Sequence, residues 1–173
     1  MRDRNKHPWI DGDLTIAADV MRRVLEEAEA AYGRDEESCG LLVGPAAEPL
    51  AIDGIVPMDN RANKLHALDP ETYPRTGRMY FDIDPLKFEK EVRRRDGEGH
   101  PVKVLYHSHL DVGAYFSETD AAAACMGGAE PAYDLAYLVT SVENGRVADT
   151  KLFVWDPESC AFKEGKMTVS PSR

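Results

Sequence analysis

The stretch Val102-Lys103-Val104-Leu105-Tyr106-His107-Ser108-His109-Leu110 decides how the chain is read, because an apolar, β-branched run ends in two histidines two residues apart. Such a run predicts a buried strand. Side chains alternate across a strand, so His107 and His109 leave on one face, while Ser108 points to the other as buried structure. Seven residues separate His109 from Ser117, and two more separate Ser117 from Asp120. Residues 117–126 are alanine-rich, open on a capping residue and stop at Gly127-Gly128, which predicts a helix with Asp120 in its first turn. From there Asp120 can point back at the strand end.

Two imidazoles and one carboxylate, with a fourth place left for water, make the composition of a catalytic zinc site, since structural sites are more often closed with thiolates. Such a site also needs a nearby carboxylate to take a proton from water. Each part has a plainer reading. Histidines fall at alternate strand positions by accident, and Ser117-x-x-Asp120 is a passable capping box.

Outward from this stretch, residues 14–32 place Ile16, Val20, Val24, Leu25, Ala28 and Ala31 at helical spacing, with Arg22, Arg23, Glu26 and Glu27 opposite and Gly33 as the end. Cys39-Gly40-Leu41-Leu42-Val43-Gly44 predicts a strand, and residues 50–58 its antiparallel neighbour. Residues 59–79 are polar, carry Asn60, Asn63, Pro70 and Pro74 and have no period, which marks a mobile loop and the natural lid. Asp84-Pro85 starts a helix with Leu86, Phe88 and Val92 on one side and a solvated basic end, Arg93 to Arg95. Two strands, residues 135–142 and 147–155, surround the turn Glu143-Asn144-Gly145-Arg146. The order predicts a mixed sheet with helices packed on it. A catalytic domain over 14–156 is expected, with an N-terminal extension over 1–13 and a C-terminal tail over 157–173.

The 173 residues suit one domain, and 43% hydrophobic with 30% charged residues is ordinary globular composition. No stretch is apolar enough to span a membrane, and the charged first dozen residues lack a signal peptide's apolar core, so a cytoplasmic location is expected. With 21 Lys and Arg against 31 Asp and Glu, the net charge of −10 disfavours nucleic acid as a partner. Cys39, Cys125 and Cys160 are too widely spaced for a redox or zinc pair and read as reduced thiols, most of them buried. Thiol catalysis at Cys39 is disfavoured because nothing adjacent lowers its pKa. His7, His66 and His100 lack partners at ligand spacing and are expected to be solvated.

Taken jointly, the residues resemble the JAMM/MPN+ metalloprotease motif, a distant Glu followed by His-Ser/Thr-His-x7-Ser-x2-Asp, and match its spacing at every position. Upstream, Glu36-Glu37-Ser38-Cys39-Gly40-Leu41-Leu42 looks like the segment that carries the catalytic Glu in prokaryotic members, with Glu37 in register. The resemblance implies an α/β (α+β) fold, a mixed β-sheet flanked by helices in the cytidine-deaminase-like sandwich arrangement. It implies one Zn²⁺ per chain held by His107, His109 and Asp120, with Glu37 as general base and then acid and Ser117 as hydrogen-bond donor to the oxyanion. Many relatives have Pro where this chain has Leu110 and Phe116, which bears on loop shape and substrate choice. Tyr115 and Phe116 either line the groove or pack under that loop.

Small prokaryotic relatives act on ubiquitin-like sulfur-carrier proteins, so the implied reaction is hydrolysis of the amide after a Gly-Gly tail. Any recognition device is then a loop of the domain or a second copy in a homodimer. Two other readings stand beside this one. A non-catalytic MPN scaffold has usually lost a ligand or the Glu, which this chain retains. A RadC-like, DNA-linked protein typically has His-Asn-His and is disfavoured by Ser108 and the acidic charge.

Overall fold

Cys39–Val43 is buried at every position, which makes it an interior strand, β2. In the computed structural model, which describes residues 6–171, β2 pairs antiparallel with β4 (Gly54–Met58) on one side and with β5 (Val102–Leu110) on the other. Residues 1–5 and 172–173, within the expected extension and tail, lie outside the described residues. β5 continues parallel to β6 (Ala136–Glu143), then β7 (Arg146–Asp156) and β8 (Ala161–Glu164) follow antiparallel, in the order β4-β2-β5-β6-β7-β8. Between the parallel β5 and β6 the chain forms a helix, α4 (Glu118–Cys125), as a crossover requires. Asn144 and Gly145 both have positive φ, the geometry a tight β6–β7 hairpin turn demands.

The expected helix over residues 14–32 is corrected at its start. Leu14–Ala17 is a strand, β1, and α1 runs from Ala18 to Gly33. β1 pairs parallel with β3 (Ala51–Ile52) and with β9 (Met167–Ser170), forming a second sheet from three distant segments. Residues 50–58 accordingly divide: Gly54–Met58 pairs with β2, while Ala51–Ile52 leaves for the second sheet. Strands β8 and β9 both lie within residues 157–173, and Pro8–Asp11 is a short 3-10 helix with Trp9 buried.

Apolar residues fill both faces of the larger sheet. Val20, Met21 and Val24 of α1 pack with Leu42, Val104, Tyr106 and Leu138 on one face. Leu41, Val43 and Tyr137 pack with Phe88 and Val92 of α3 (Pro85–Gly97) and with Phe116 and Phe162 on the other. Asp84 caps α3 as expected, but Leu86 is 79% exposed and does not join Phe88 and Val92. Arg93, Arg94 and Arg95 form ion pairs with Glu89, Glu91 and Glu98 at the solvated helix end. Gly40 faces Tyr106 across β2 and β5, and a Cβ there would overlap the tyrosine ring.

The β2–β5 register shifts between Leu42, opposite Val104, and Val43, opposite Val102, which leaves Lys103 as the extra residue of a bulge. Its side chain turns under the β2–β3 connection, where Nζ donates to the carbonyls of Pro45, Glu48 and Ala51 at 2.9 Å each. Below the bulge, strict alternation resumes toward the histidines.

Candidate metal centre

β5 brings His107 and His109 out on the same face, and both are buried. Their Nε2 atoms lie 3.3 Å apart. Asp120, in the first turn of α4, directs Oδ2 to 3.1 Å from His107 Nε2 and 3.4 Å from His109 Nε2. The three donor atoms therefore meet around one point. Glu37, just before β2, places Oε1 4.0 Å from His109 Nε2 and is itself 4% exposed. The buried Glu37, His107 and His109 side chains form a cluster that could hold a metal ion.

Local hydrogen bonds fix each group. His109 Nδ1 donates to the carbonyl of Gly113 at 2.9 Å, which leaves the Nε2 lone pair facing the cluster. His107 stacks on Phe81, with centroids 4.6 Å apart, and its Nδ1 has no hydrogen-bond partner. The Ser117 hydroxyl oxygen accepts from the Asp120 N–H at 3.0 Å while Asp120 Oδ2 accepts from the Ser117 N–H at 3.1 Å, so the capping box is present. The same box orients the Asp120 carboxylate toward the histidines, and it leaves the Ser117 hydroxyl proton available to another acceptor.

Burial sets the charge states. It raises Glu37 well above the usual carboxylate range, and the neighbouring Asp120 carboxylate adds to this. His107 is lowered by burial, against the pull of Asp120, which favours the neutral, ligating imidazole. Burial also pushes Asp120 upward, but the adjoining His107 and His109 imidazoles and the Ser117 N–H outweigh it and hold the carboxylate ionised.

Three contacts anchor the segment that carries Glu37, and those of Asn60 and Gly77 carry no sequence signal. Ser108, buried as expected, uses its hydroxyl oxygen to accept the Ser38 N–H at 2.7 Å. Asn60 donates from Nδ2 to the carbonyls of Glu37 and Tyr80, and its Oδ1 accepts from the N–H groups of Ala62 and Asp82, each at 3.0 Å. The Glu37 N–H donates to the Gly77 carbonyl at 2.6 Å, and a Cβ on Gly77 would crowd Glu36. The segment 59–79 is therefore tied to the strand that delivers Glu37. It also contains a helix, α2 (Ala62–Leu68), where no periodicity was evident.

The remaining candidates add no donor atom to this cluster. Cys39 is buried, and burial pushes its thiol up, which disfavours a thiolate. Cys125 is half-buried and Cys160 exposed, so only one of the three free cysteines is buried. His66 sits on α2 against the Tyr73 carbonyl, His100 pairs with Asp53 and His7 with Asp134. Phe116 packs against Tyr137, Phe153 and Phe162, whereas Tyr115 is 50% exposed and edge-on to His109.

The family model for prokaryotic homologs of the JAB domain matches residues 17–155, which include every residue of the cluster. The chain belongs to this family. The JAB domain family includes JAMM metalloproteases, and the buried Glu37, His107 and His109 side chains fit a metal-dependent member. Solved structures share the JAB fold. A Desulfitobacterium hafniense protein determined in solution matches at 22% identity and a TM-score of 0.64, covering 92% of this chain and 94% of its own. A Salinibacter ruber protein, also determined in solution, matches at 20% identity and 0.59, covering 91% and 92%. A crystal structure of a JAB1/MPN domain protein from Archaeoglobus fulgidus matches at 15% identity and 0.50, covering 90% and 98%. No curated protein matches the sequence. Among the described residues no helix is long and apolar enough to cross a membrane.

Proposed function

We propose that this JAB-domain protein is a zinc-dependent peptidase or isopeptidase that hydrolyses the amide bond after the Gly-Gly tail of a ubiquitin-like or sulfur-carrier protein. The observation that carries the reading is the meeting of His107 Nε2, His109 Nε2 and Asp120 Oδ2 within 3.4 Å of one another, beside the buried Glu37 carboxylate. Two neutral imidazoles and a carboxylate suit zinc, and the three are too few to close a tetrahedral shell. A zinc ion held there supplies Lewis acidity, enough to bring the pKa of water to about 7. Glu37 takes the proton of the attacking water and passes it to the leaving amine, a task suited to a carboxyl whose pKa burial has raised. Ser117 donates its hydroxyl proton to the developing oxyanion, a role worth on the order of 3 kcal/mol in other acyl-transfer sites.

Support for a glycine tail comes from the sheet. Met58 of the edge strand β4 is level with Cys39, and Cys39 with His107, so the end of β4 lies in the same row as the cluster. An extended tail without side chains is read mainly by such backbone pairing. The test is to incubate the zinc-loaded protein with a carrier protein extended past its Gly-Gly. Cleavage at that amide by the wild type, lost in Glu37→Ala, is expected; an intact carrier, or cleavage unaltered by the substitution, refutes the reading.

A further inference from the structure

A cavity of about 210 Å³ opens beside the candidate metal centre, bounded by α3, α4 and the histidine face of β5. His107 and Asp120 line it, whereas Glu37, His109 and Ser117 do not. Apart from His107, Asp120 and Asp82, every lining side chain is apolar or aromatic, with Phe88, Phe116 and Leu105 among them. The hydrolytic chemistry itself requires no such recess. Water entering it meets few polar partners, and its aromatic walls gain free energy only when an apolar group covers them. Its size also suits a ring, since an apolar cavity of about 150 Å³ already holds benzene.

We infer that this cavity is a specificity pocket for an apolar, preferably aromatic, side chain on the amine side of the scissile bond. The inference rests on the hydrolase reading above and names the class of group released. Two glycines on the acyl side carry no side chain to fill the cavity, so the occupant belongs to the residue whose amine leaves. Contact with the walls through His107 and Asp120 ties the pocket to the donor set, and filling it seats the scissile amide against that set. Met126, 68% exposed and in the left-handed conformation at the end of α4, contributes an adaptable thioether to the lining. An acidic side chain would have to shed its water into this lining beside Asp120 and Asp82, which share its sign.

The experiment compares zinc-loaded protein on carriers ending in Gly-Gly-Phe, Gly-Gly-Leu, Gly-Gly-Ala and Gly-Gly-Asp. The expected kcat/KM is at least about tenfold higher for Phe and Leu than for Ala, and lowest for Asp. Ala124→Phe, which places a ring in the cavity, is expected to collapse the Phe-to-Ala ratio. A second arm needs no turnover: phenylalanine amide added to the zinc-loaded protein shifts the NMR methyl signals of Ala123 and Ala124, and alanine amide, which carries the same amine, does not. Equal kcat/KM across the series, or equal methyl shifts by the two amides, overturns the inference. In a parallel set of carriers that varies the residue preceding Gly-Gly instead, a preference for an apolar side chain there overturns the assignment to the amine side. Failure to cleave any carrier refutes the hydrolase reading instead, and the methyl shifts then decide the pocket alone.

Discussion

The hydroxyl oxygen of Ser108 accepts the backbone N–H of Ser38 at 2.7 Å, so the residue between the two histidines holds the strand segment that presents Glu37. The Ser108 N–H also donates to the Ser38 carbonyl at 3.1 Å, which extends the β2–β5 pairing by one residue toward the cluster. Ser108→Ala removes an acceptor from a buried N–H and is expected to cost about 1–3 kcal/mol of stability. Urea unfolding measures this. Zinc stoichiometry should stay at one per chain, because the histidines keep their places on the strand.

Asn60 joins Glu37, Tyr80, Ala62 and Asp82 through one amide group. Asn60→Ala unties the segment 59–84 from the strand before β2 and lets Glu37 drift. The expected result is a kcat lowered by roughly tenfold to hundredfold, since small misplacements of reacting groups cost that much. Limited proteolysis within residues 69–79 should quicken in the same variant, while zinc binding is retained.

Metal binding is expected at one zinc per chain after reconstitution. His109→Ala and Asp120→Ala each remove a donor and are expected to weaken affinity by at least about 100-fold, more than the loss of an outer hydrogen-bond partner. Competition with a chromophoric chelator measures this. A wild-type chain that takes up no zinc would favour a scaffold over a hydrolase.

Glu37 also makes the stability of the metal-free protein depend on pH. Its folded-state pKa is raised by burial, so the unfolded chain ionises first, near the ordinary Glu value of about 4.3. Its contribution is fully present below that pH and is lost as pH rises toward the folded value. Glu37→Gln abolishes this contribution, so the variant's advantage in urea midpoint over the wild type should grow between pH 4 and neutrality. A constant difference would mean that Glu37 is not desolvated.

How far the molecule could be read without coordinates depends on the range of the interactions. His107, Ser108 and His109 declared themselves because strand alternation is local, and the Ser117-x-x-Asp120 box because capping is local. Leu14–Ala17 misled because Ile16 and Val20 stand four residues apart, as on a helix, whereas the strand exists only through pairing with Ala51–Ile52 and Met167–Ser170. α2 was hidden by a polar sequence whose order comes from Asn60 and Asn63 bonds to the segment beyond it. The bonds of Ser108 and Asn60 to the Glu37 segment join residues 70 and 23 positions apart, and the cavity draws on four separate stretches. No pattern within one stretch can announce either.

The Lys103 bulge has a consequence for fidelity of folding. A strand paired one residue out of step shows its opposite face, so a slipped β5 would send His107 and His109 under α1 and offer Ser108 in their place. Lys103 discourages that slip, because only in the native alignment does its ammonium reach the three carbonyls of Pro45, Glu48 and Ala51. A lysine far from the donor atoms thus acts as a ratchet tooth, deciding which face of β5 becomes chemistry and which becomes core.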